Sequence, residues 1–200
     1  RMRDDELADF FIQILFAGHD TTLASLQNLL CVLADAPADV EELLEAEVKN
    51  VWDGQAELAW HQVQACMRGV CGRFIGEVFR LMPPLPFVLR RVEHDASVGE
   101  LRVEQGHIIF ASIVGQHAKL SERLGAEVSL GHDHASLPSH EYLPFGIGPR
   151  RCPGDRFTKM LLTVWVMHLV ANHKVEVRRY ERRSSPWNVK SPQTVKLSQR

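Results

Sequence analysis

Ten residues near the carboxyl end, Phe145-Gly-Ile-Gly-Pro-Arg-Arg-Cys-Pro-Gly154, decide how this sequence is interpreted. Gly146, Gly148 and Gly154 favour a turn in which the backbone can approach a flat ligand closely. The two arginines and the start of the following helix both favour a negative sulfur on Cys152. A thiolate in this setting can ligate a metal. The alternative is a buried structural cysteine beside a surface loop, which so many constraints within ten residues disfavour.

The overall composition is that of an ordinary globular protein. The chain has 200 residues, of which 45% are hydrophobic and 24% charged, enough for one domain with a sizeable core. Its formal net charge of -2 gives no support for binding to nucleic acid or to an anionic membrane. The most apolar stretch, residues 160–171, is too short to span a membrane. Composition therefore gives no sign of a membrane-spanning segment or of a nucleic-acid partner.

The four cysteines are few for this length and indicate a reducing compartment rather than a disulfide framework. Cys66 and Cys71 are five residues apart with no second pair nearby, which is a poor zinc pattern. We interpret them as small apolar residues on a helix.

Hydrophobic periodicity predicts a mainly α fold with small antiparallel β sheets. Helices are expected over residues 4–35, 38–49, 62–81 and 155–172, the third of them ended by Met82 and the prolines after it. Short apolar runs separated by glycines predict a small antiparallel sheet over residues 87–113.

The remaining segments have weaker patterns. Residues 116–144 show little periodicity and are expected to form an irregular, meandering coil. A terminal hairpin is predicted from alternating apolar residues, which are Val175, Val177, Val189, Val195 and Leu197. We predict a single domain over residues 1–200. Its parts are a helical region (1–86), a sheet and coil (87–144), the cysteine loop with the last helix (145–172) and the hairpin (173–200).

A second motif, Ala17-Gly-His-Asp-Thr-Thr22, lies inside the first predicted helix. Thr21 can bond back to the carbonyl of Ala17, which opens or bends a helix. Gly18 costs the helix about 1 kcal/mol relative to alanine, so a functional reason for it is expected. A groove there, beside Asp20 and Thr21, could hold a small molecule such as dioxygen and deliver protons to it. A kinked core helix is the alternative.

Glu77 and Arg80 form a third motif, because residues three apart share one helical face. An exposed pair of this kind contributes only a few tenths of a kcal/mol, so the spacing alone is weak evidence.

In their order along the chain, the three motifs resemble those of the cytochrome P-450 (haem-thiolate monooxygenase) family. The cysteine loop of that family has the pattern Phe-x-x-Gly-x-Arg-x-Cys-x-Gly. The resemblance covers the carboxyl-terminal half of that fold, from the long oxygen-groove helix to the chain end. We therefore expect a truncated monooxygenase domain or a partial gene product. The resemblance also implies an intracellular protein, cytoplasmic or, if an amino-terminal anchor is missing, on the cytosolic face of the endoplasmic reticulum.

The resemblance implies a role for each motif residue. Cys152 would be the axial ligand of the haem iron, and Asp20 and Thr21 would relay protons. Arg150 and one of two strand arginines, with Arg90 preferred over Arg91, would bind the haem propionates. Phe145 would shield the sulfur. The small residues of the two motifs would let the backbone approach the haem closely; they are Ala17, Gly18, Gly146, Gly148 and Gly154.

The Glu77–Arg80 pair would be buried in such a protein and would anchor the meandering coil. In the family an arginine from the coil completes this network, and here it is missing. Either His132 or His134 is expected to fill its place, with His132 the better alignment. His132, His134 and His140 also invite a zinc interpretation, but a polar surface loop is favoured because a fourth ligand is lacking.

By resemblance, the cofactor is haem b, and dioxygen and NAD(P)H-derived electrons drive hydroxylation or epoxidation of a small lipophilic substrate. The substrate class would be sterol, retinoid, terpenoid or fatty acid. Electrons would come from a reductase or ferredoxin at a basic proximal face, formed by Arg150, Arg151, Arg156 and Lys159. The substrate cavity would be lined by Ala17, Leu85, Pro86 and Phe87, which core packing explains equally well. The alternatives are a haem-thiolate isomerase or peroxygenase and a truncated fragment without activity.

Overall fold

The fold is described from a computed structural model, which covers residues 2–54, 56–177 and 195–199. The helices within these ranges are α1 (Asp4–Ala34), α2 (Ala38–Val51), α3 (Trp60–Arg68), α4 (Val70–Leu81), α5 (Ile113–Leu124) and α6 (Asp155–Asn172). The strands are β1 (Phe87–Arg91), β2 (Ala96–Val98), β3 (Leu101–Val103), β4 (Ile108–Ser112), β5 (His173–Val177) and β6 (Val195–Gln199).

The strands form three two-stranded antiparallel sheets, β1–β4, β2–β3 and β5–β6. In the first, Phe87 is opposite Ser112 and Arg91 is opposite Ile108. Strands β5 and β6 pair antiparallel, with Val177 opposite Val195; the connection between them, including Val189, lies outside the described residues, so the terminal hairpin stays a prediction. The prediction of a mainly α fold with small antiparallel sheets is confirmed. The subdivision of the chain into four parts stays a prediction.

The core lies where α2, α3, α4 and α6 meet the carboxyl half of α1. Leu29, Leu44, Phe74 and Leu162 are fully buried there. Each such side chain contributes about 1.5–3 kcal/mol relative to an exposed one. Helix α4 is the centre of this packing, since it contacts α1, α2, α3, α5 and α6.

The amino half of α1 lies outside this core. Residues 2–20 are exposed, although several of them are large and apolar, including Phe10, Phe11, Leu15 and Phe16. The apolar stripe that predicted a long helix is therefore buried only in its later part. None of the described helices is both long enough and apolar enough to cross a bilayer.

One predicted helix is two helices in the structure, because the chain breaks at Gly69 between α3 and α4. A β-carbon at Gly69 would lie 1.8 Å from a carboxylate oxygen of Glu47 on α2. That carboxylate accepts hydrogen bonds from the backbone N–H groups of Val70 (2.6 Å) and Cys71 (2.8 Å). Glu47 thus caps α4 from a distant part of the sequence, which the periodicity of residues 62–81 does not reveal.

A second difference is α5, which occupies part of the segment expected to be irregular coil. The Ser112 side chain accepts a hydrogen bond from the backbone N–H of Gly115 at 2.9 Å and so caps the helix. Ile113, His117 and Leu120 form its buried face. A histidine within the apolar stripe hides the helical spacing, so the expectation for these residues was wrong.

We predict that Gly69→Ala lowers the free energy of unfolding by about 1–3 kcal/mol, because the new methyl group displaces the Glu47 carboxylate from two partly buried N–H donors. Denaturant unfolding followed by circular dichroism measures this. Gly18→Ala is the matched control, since no atom lies within 4 Å of a β-carbon there and alanine favours a helix by about 1 kcal/mol. Equal effects of the two substitutions would contradict the role assigned to Gly69.

Candidate functional site

The loop before α6 presents Cys152 at the surface. Gly146 and Gly148 adopt positive φ values of 71° and 74°, which side chains rarely adopt. The backbone N–H of Cys152 donates to the carbonyl of Phe145 at 2.9 Å, which closes the loop. Its thiol is free and exposed, and α6 begins three residues later at Asp155. The loop therefore holds an accessible sulfur close to the amino end of a long helix.

The base of this loop is fixed to the core through Phe145. Its ring packs edge to face against Phe79 of α4, with ring centroids 5.0 Å apart. The Lys159 ammonium lies 5.3 Å from the centre of the same ring. The expected role of Phe145 as a shield of the sulfur stays a prediction; the described contacts show it as the anchor of the loop.

Beneath the loop, Glu77 and Arg80 of α4 form an ion pair with both side chains fully buried. Arg80 donates from Nε and Nη2 to the two carboxylate oxygens of Glu77, at 2.8 and 2.7 Å. The geometry is bidentate, the strongest arrangement for an arginine and a carboxylate. Removing one partner of such a pair costs about 3–5 kcal/mol, because the other charge is left buried alone.

The remaining donors of Arg80 bind the chain after α4. Nη1 donates to the Ser121 hydroxyl at 2.6 Å and to the Gly125 carbonyl at 2.8 Å. Nη2 also donates to the Glu127 carbonyl at 3.0 Å. All five N–H groups of the guanidinium are therefore satisfied. The end of α5 and the start of the coil are both held by this one side chain.

The histidine that joins this pair is His134, not His132. His134 Nε2 lies 2.8 Å from Glu77 Oε1, and its side chain is only 7% exposed. His132 lies instead 3.3 Å from the carbonyl of Leu124. The preference for His132 was wrong because the turn after Ser129, whose N–H also donates to Glu77 at 2.9 Å, sets which histidine faces α4. This turn is not visible in the sequence pattern.

Two groups in this network have strongly shifted pKa values. Burial opposes ionisation of Glu77, but hydrogen bonds from Arg80, His134 and the Ser129 N–H outweigh it and lower the pKa of Glu77 to about 2. Burial lowers the pKa of His117 to about 4. The Leu143 N–H donates to His117 Nε2 at 3.1 Å, which requires that nitrogen to be unprotonated. His117 is thus neutral, while Glu77 is charged.

The coil is tied back to the helices near its end. The Tyr142 hydroxyl donates to the Gly76 carbonyl at 3.0 Å, and burial raises the pKa of this phenol. Its ring also stacks on His117, with centroids 5.4 Å apart. None of these residues was singled out from the sequence, because their partners are far away along the chain.

The Ala17–Thr22 segment has the local geometry that the sequence predicted. The Thr21 hydroxyl donates to the carbonyl of Ala17 at 2.8 Å, and the carboxylate of Asp20 lies 2.7 Å from His19 Nδ1. A β-carbon at Gly18 would meet no atom within 4 Å. Among the described residues, no hydrogen bond joins this segment to the Cys152 loop, and the roles of Asp20 and Thr21 stay predictions.

The predicted propionate ligands are exposed. Arg90 and Arg91 lie on β1, opposite Ile109 and Ile108, and Arg90 Nη1 donates to the Leu89 carbonyl at 2.7 Å. Arg150 ends a short 3-10 turn in the cysteine loop.

Four basic residues surround the cysteine loop, but two of them have partners. Arg151 pairs with Asp155, and Lys159 lies over Phe145. Arg150 and Arg156 are exposed, and neither forms an ion pair with a residue that the structure describes.

The three histidines of the coil do not converge on one point. His134 binds Glu77 and His132 binds a carbonyl, while the His140 side chain is 73% exposed. In the described part of the chain they form no metal-ligand cluster.

The residues present fit a flat, thiolate-ligated cofactor. The sulfur of Cys152 is accessible, and β-carbons placed at Gly146 or Gly148 would meet no atom within 4 Å, so the loop leaves open space beside it. Exposed apolar side chains on α1 and on β1–β4, such as Phe16, Leu89 and Phe110, offer surface that a lipophilic ring system can cover. Haem matches both features, because it is a flat, lipophilic ring system whose iron binds a thiolate.

Comparison with known proteins identifies the class. The family model for cytochrome P450 matches residues 1–197, so the chain belongs to the cytochrome P450 family. It is 28% identical to protopanaxadiol 6-hydroxylase of Panax ginseng over 176 residues, which is 86% of this chain and 37% of that protein. A beta-amyrin 28-monooxygenase of the same plant is 28% identical over 88% of this chain and 37% of its own length.

A more distant relative has the same coverage. Abietadienol/abietadienal oxidase of Pinus taeda is 25% identical over 86% of this chain and 37% of its own length. The chain thus spans little more than a third of the curated relatives that it matches.

We predict that stability falls as the pH drops from about 6.5 to about 4, because the unfolded chain then protonates His117 while the folded chain does not. Each pKa unit corresponds to about 1.4 kcal/mol, so the full effect is a few kcal/mol. Glu77 adds a second loss between about 4.5 and about 2, where the unfolded carboxylate takes up a proton first.

Thermal unfolding at a series of pH values measures the first loss. His117→Gln keeps an acceptor for the Leu143 N–H. Because burial lowers the pKa of His117 from 6.5 to about 4, this variant should lose less stability than wild type between these two pH values. His61→Gln is the matched control, because His61 is exposed. If the unfolding midpoint of His117→Gln fell with pH as steeply as that of His61→Gln, a group other than His117 would cause the loss of stability.

Proposed function

We propose that this chain is the haem-binding portion of a cytochrome P450 monooxygenase, in which the Cys152 thiolate ligates the haem iron. The observation that carries the proposal is the exposed thiol of Cys152 at the end of a positive-φ glycine loop, fixed by its N–H to Phe145 and followed directly by α6. When bound, haem supplies dioxygen activation and insertion of one oxygen atom into the substrate.

The protein's own part is to hold and tune the sulfur. Arg150 precedes Cys152 by two residues and α6 begins three residues after it, so both place positive charge near a sulfur that becomes negative on binding a metal. Arg150 and Arg90 are exposed, so each can donate a charge-assisted hydrogen bond to a haem propionate. Phe145, packed on Phe79, keeps the loop from shifting away from the cofactor.

Asp20 and Thr21 are proposed to move protons toward the cofactor. The Thr21 hydroxyl already donates to the Ala17 carbonyl and so loosens the helix at that turn. The Asp20 side chain is 69% exposed and bonded to His19, which gives it a route for exchanging protons with solvent.

The substrate is proposed to be a lipophilic molecule of the terpenoid or sterol class. The relatives' names mention protopanaxadiol, beta-amyrin, a steroid and abietadienol. The exposed apolar residues of α1, among them Phe16, and Leu85 after α4 offer the surface that such a molecule needs.

An acidic electron-donor protein is proposed to dock beside the cysteine loop. Arg156 is exposed there and forms no ion pair with a described residue, and complementary charge steers such encounters. NAD(P)H would be the source of the electrons.

The direct test is the spectrum of the carbon monoxide complex after the chain has been loaded with haem and reduced. We expect a thiolate-type Soret band, its loss in Cys152→Ser, and a histidine-type band in Cys152→His. Cys31→Ser is the control, because it removes a buried thiol elsewhere in the chain. Circular dichroism verifies that each variant folds.

Two outcomes would refute the proposal. The first is a thiolate band that survives in Cys152→Ser. The second is the absence of haem uptake by folded wild-type chain.

A further inference from the structure

Three helices bring two thiols and a carboxylate together at the Gly69 break. Glu47 of α2, Cys66 of α3 and Cys71 of α4 each offer one ligand atom, and these atoms all lie within 4.8 Å of one another. The site is separate from the Cys152 loop in sequence and does not depend on haem.

The carboxylate of Glu47 is held in place by the backbone. Each of its oxygens accepts one N–H, from Val70 at 2.6 Å and from Cys71 at 2.8 Å. A carboxylate has about four lone-pair positions, so each oxygen keeps one for a cation. The missing β-carbon of Gly69 makes room for this arrangement.

The two sulfur atoms lie on the inner side of the site. Cys66 and Cys71 are 0% exposed, whereas Glu47 is partly exposed, so an ion would enter past Glu47.

The dimensions and charges suit a soft divalent cation. Zn–S and Zn–O bonds of about 2.3 and 2.1 Å place tetrahedral ligand atoms roughly 3.5–3.8 Å apart. The ligand atoms, now within 4.8 Å of one another, have to approach by at most about 1.3 Å, which side-chain rotation allows. Two thiolates and one carboxylate carry three negative charges, which are too costly to bury without a cation. Thiolate ligands select zinc-like metals over magnesium or calcium.

We propose that Glu47, Cys66 and Cys71 bind one soft divalent cation of the Zn²⁺ and Cd²⁺ class, with water as the fourth ligand. Binding releases the two thiol protons to solvent and forms two metal–sulfur bonds and one metal–oxygen bond. The ion ties α2 to the junction of α3 and α4, and these helices belong to the core of the molecule.

Titration of the full chain with Cd²⁺ alone tests this, because thiolate-to-cadmium charge transfer gives an ultraviolet band. We expect the band to saturate at one equivalent and the midpoint of thermal unfolding to rise with added Cd²⁺. Both effects should be lost in Cys66→Ser and in Cys71→Ser, and weakened in Glu47→Gln. Cys31→Ser and Cys152→Ser are the matched controls, and both should keep the band and the rise in midpoint.

A second measurement uses wild-type chain only, so it does not depend on the folding of variants. One equivalent of Cd²⁺ should slow alkylation of Cys66 and Cys71, mapped by mass spectrometry, and leave alkylation of the exposed Cys152 unchanged. Protection of Cys152 alone would overturn the proposal. So would a band that survives in both Cys66→Ser and Cys71→Ser, or a pair that oxidises to a disulfide but takes up no Cd²⁺.

Discussion

Burial of the Glu77–Arg80 ion pair is the constraint on which the rest of this structure depends. Two opposite charges are removed from water, and the cost is offset only because every donor of Arg80 has an acceptor and Glu77 receives four hydrogen bonds. Several of these partners belong to the coil and to the end of α5 rather than to α4. The pair therefore stays buried only if the coil follows one particular path.

That path leads to the cysteine loop. After Ser129 and His134 have bound Glu77, Tyr142 bonds to Gly76 and Phe145 packs on Phe79 of the same helix. The loop thus begins from a fixed point on α4 and ends at α6, which packs on α4 as well. A coil with little regular structure is in this way able to hold one sulfur in a defined position.

Sequence alone predicted the features that are local. The glycine loop, the back-bonded Thr21 and the boundaries of α1 and α6 follow from neighbouring residues and are found as predicted. The break at Gly69 and the choice of His134 over His132 depend on Glu47 and Glu77, partners 22 or more residues away in the chain. Glu47 is likewise 19 residues from Cys66 and 24 from Cys71, so the spacing of the two cysteines does not indicate a third ligand on another helix.

Amide hydrogen exchange in wild-type chain and in Arg80→Lys tests the central link most directly. A lysine keeps the charge but loses the bidentate geometry and most of the donors to the coil. The account predicts faster exchange at the Ser129, Leu143 and Cys152 N–H groups, with the amides of α2 unchanged. If Cys152 kept its protection while Ser129 lost it, the cysteine loop would not depend on the buried pair, and the account would be contradicted.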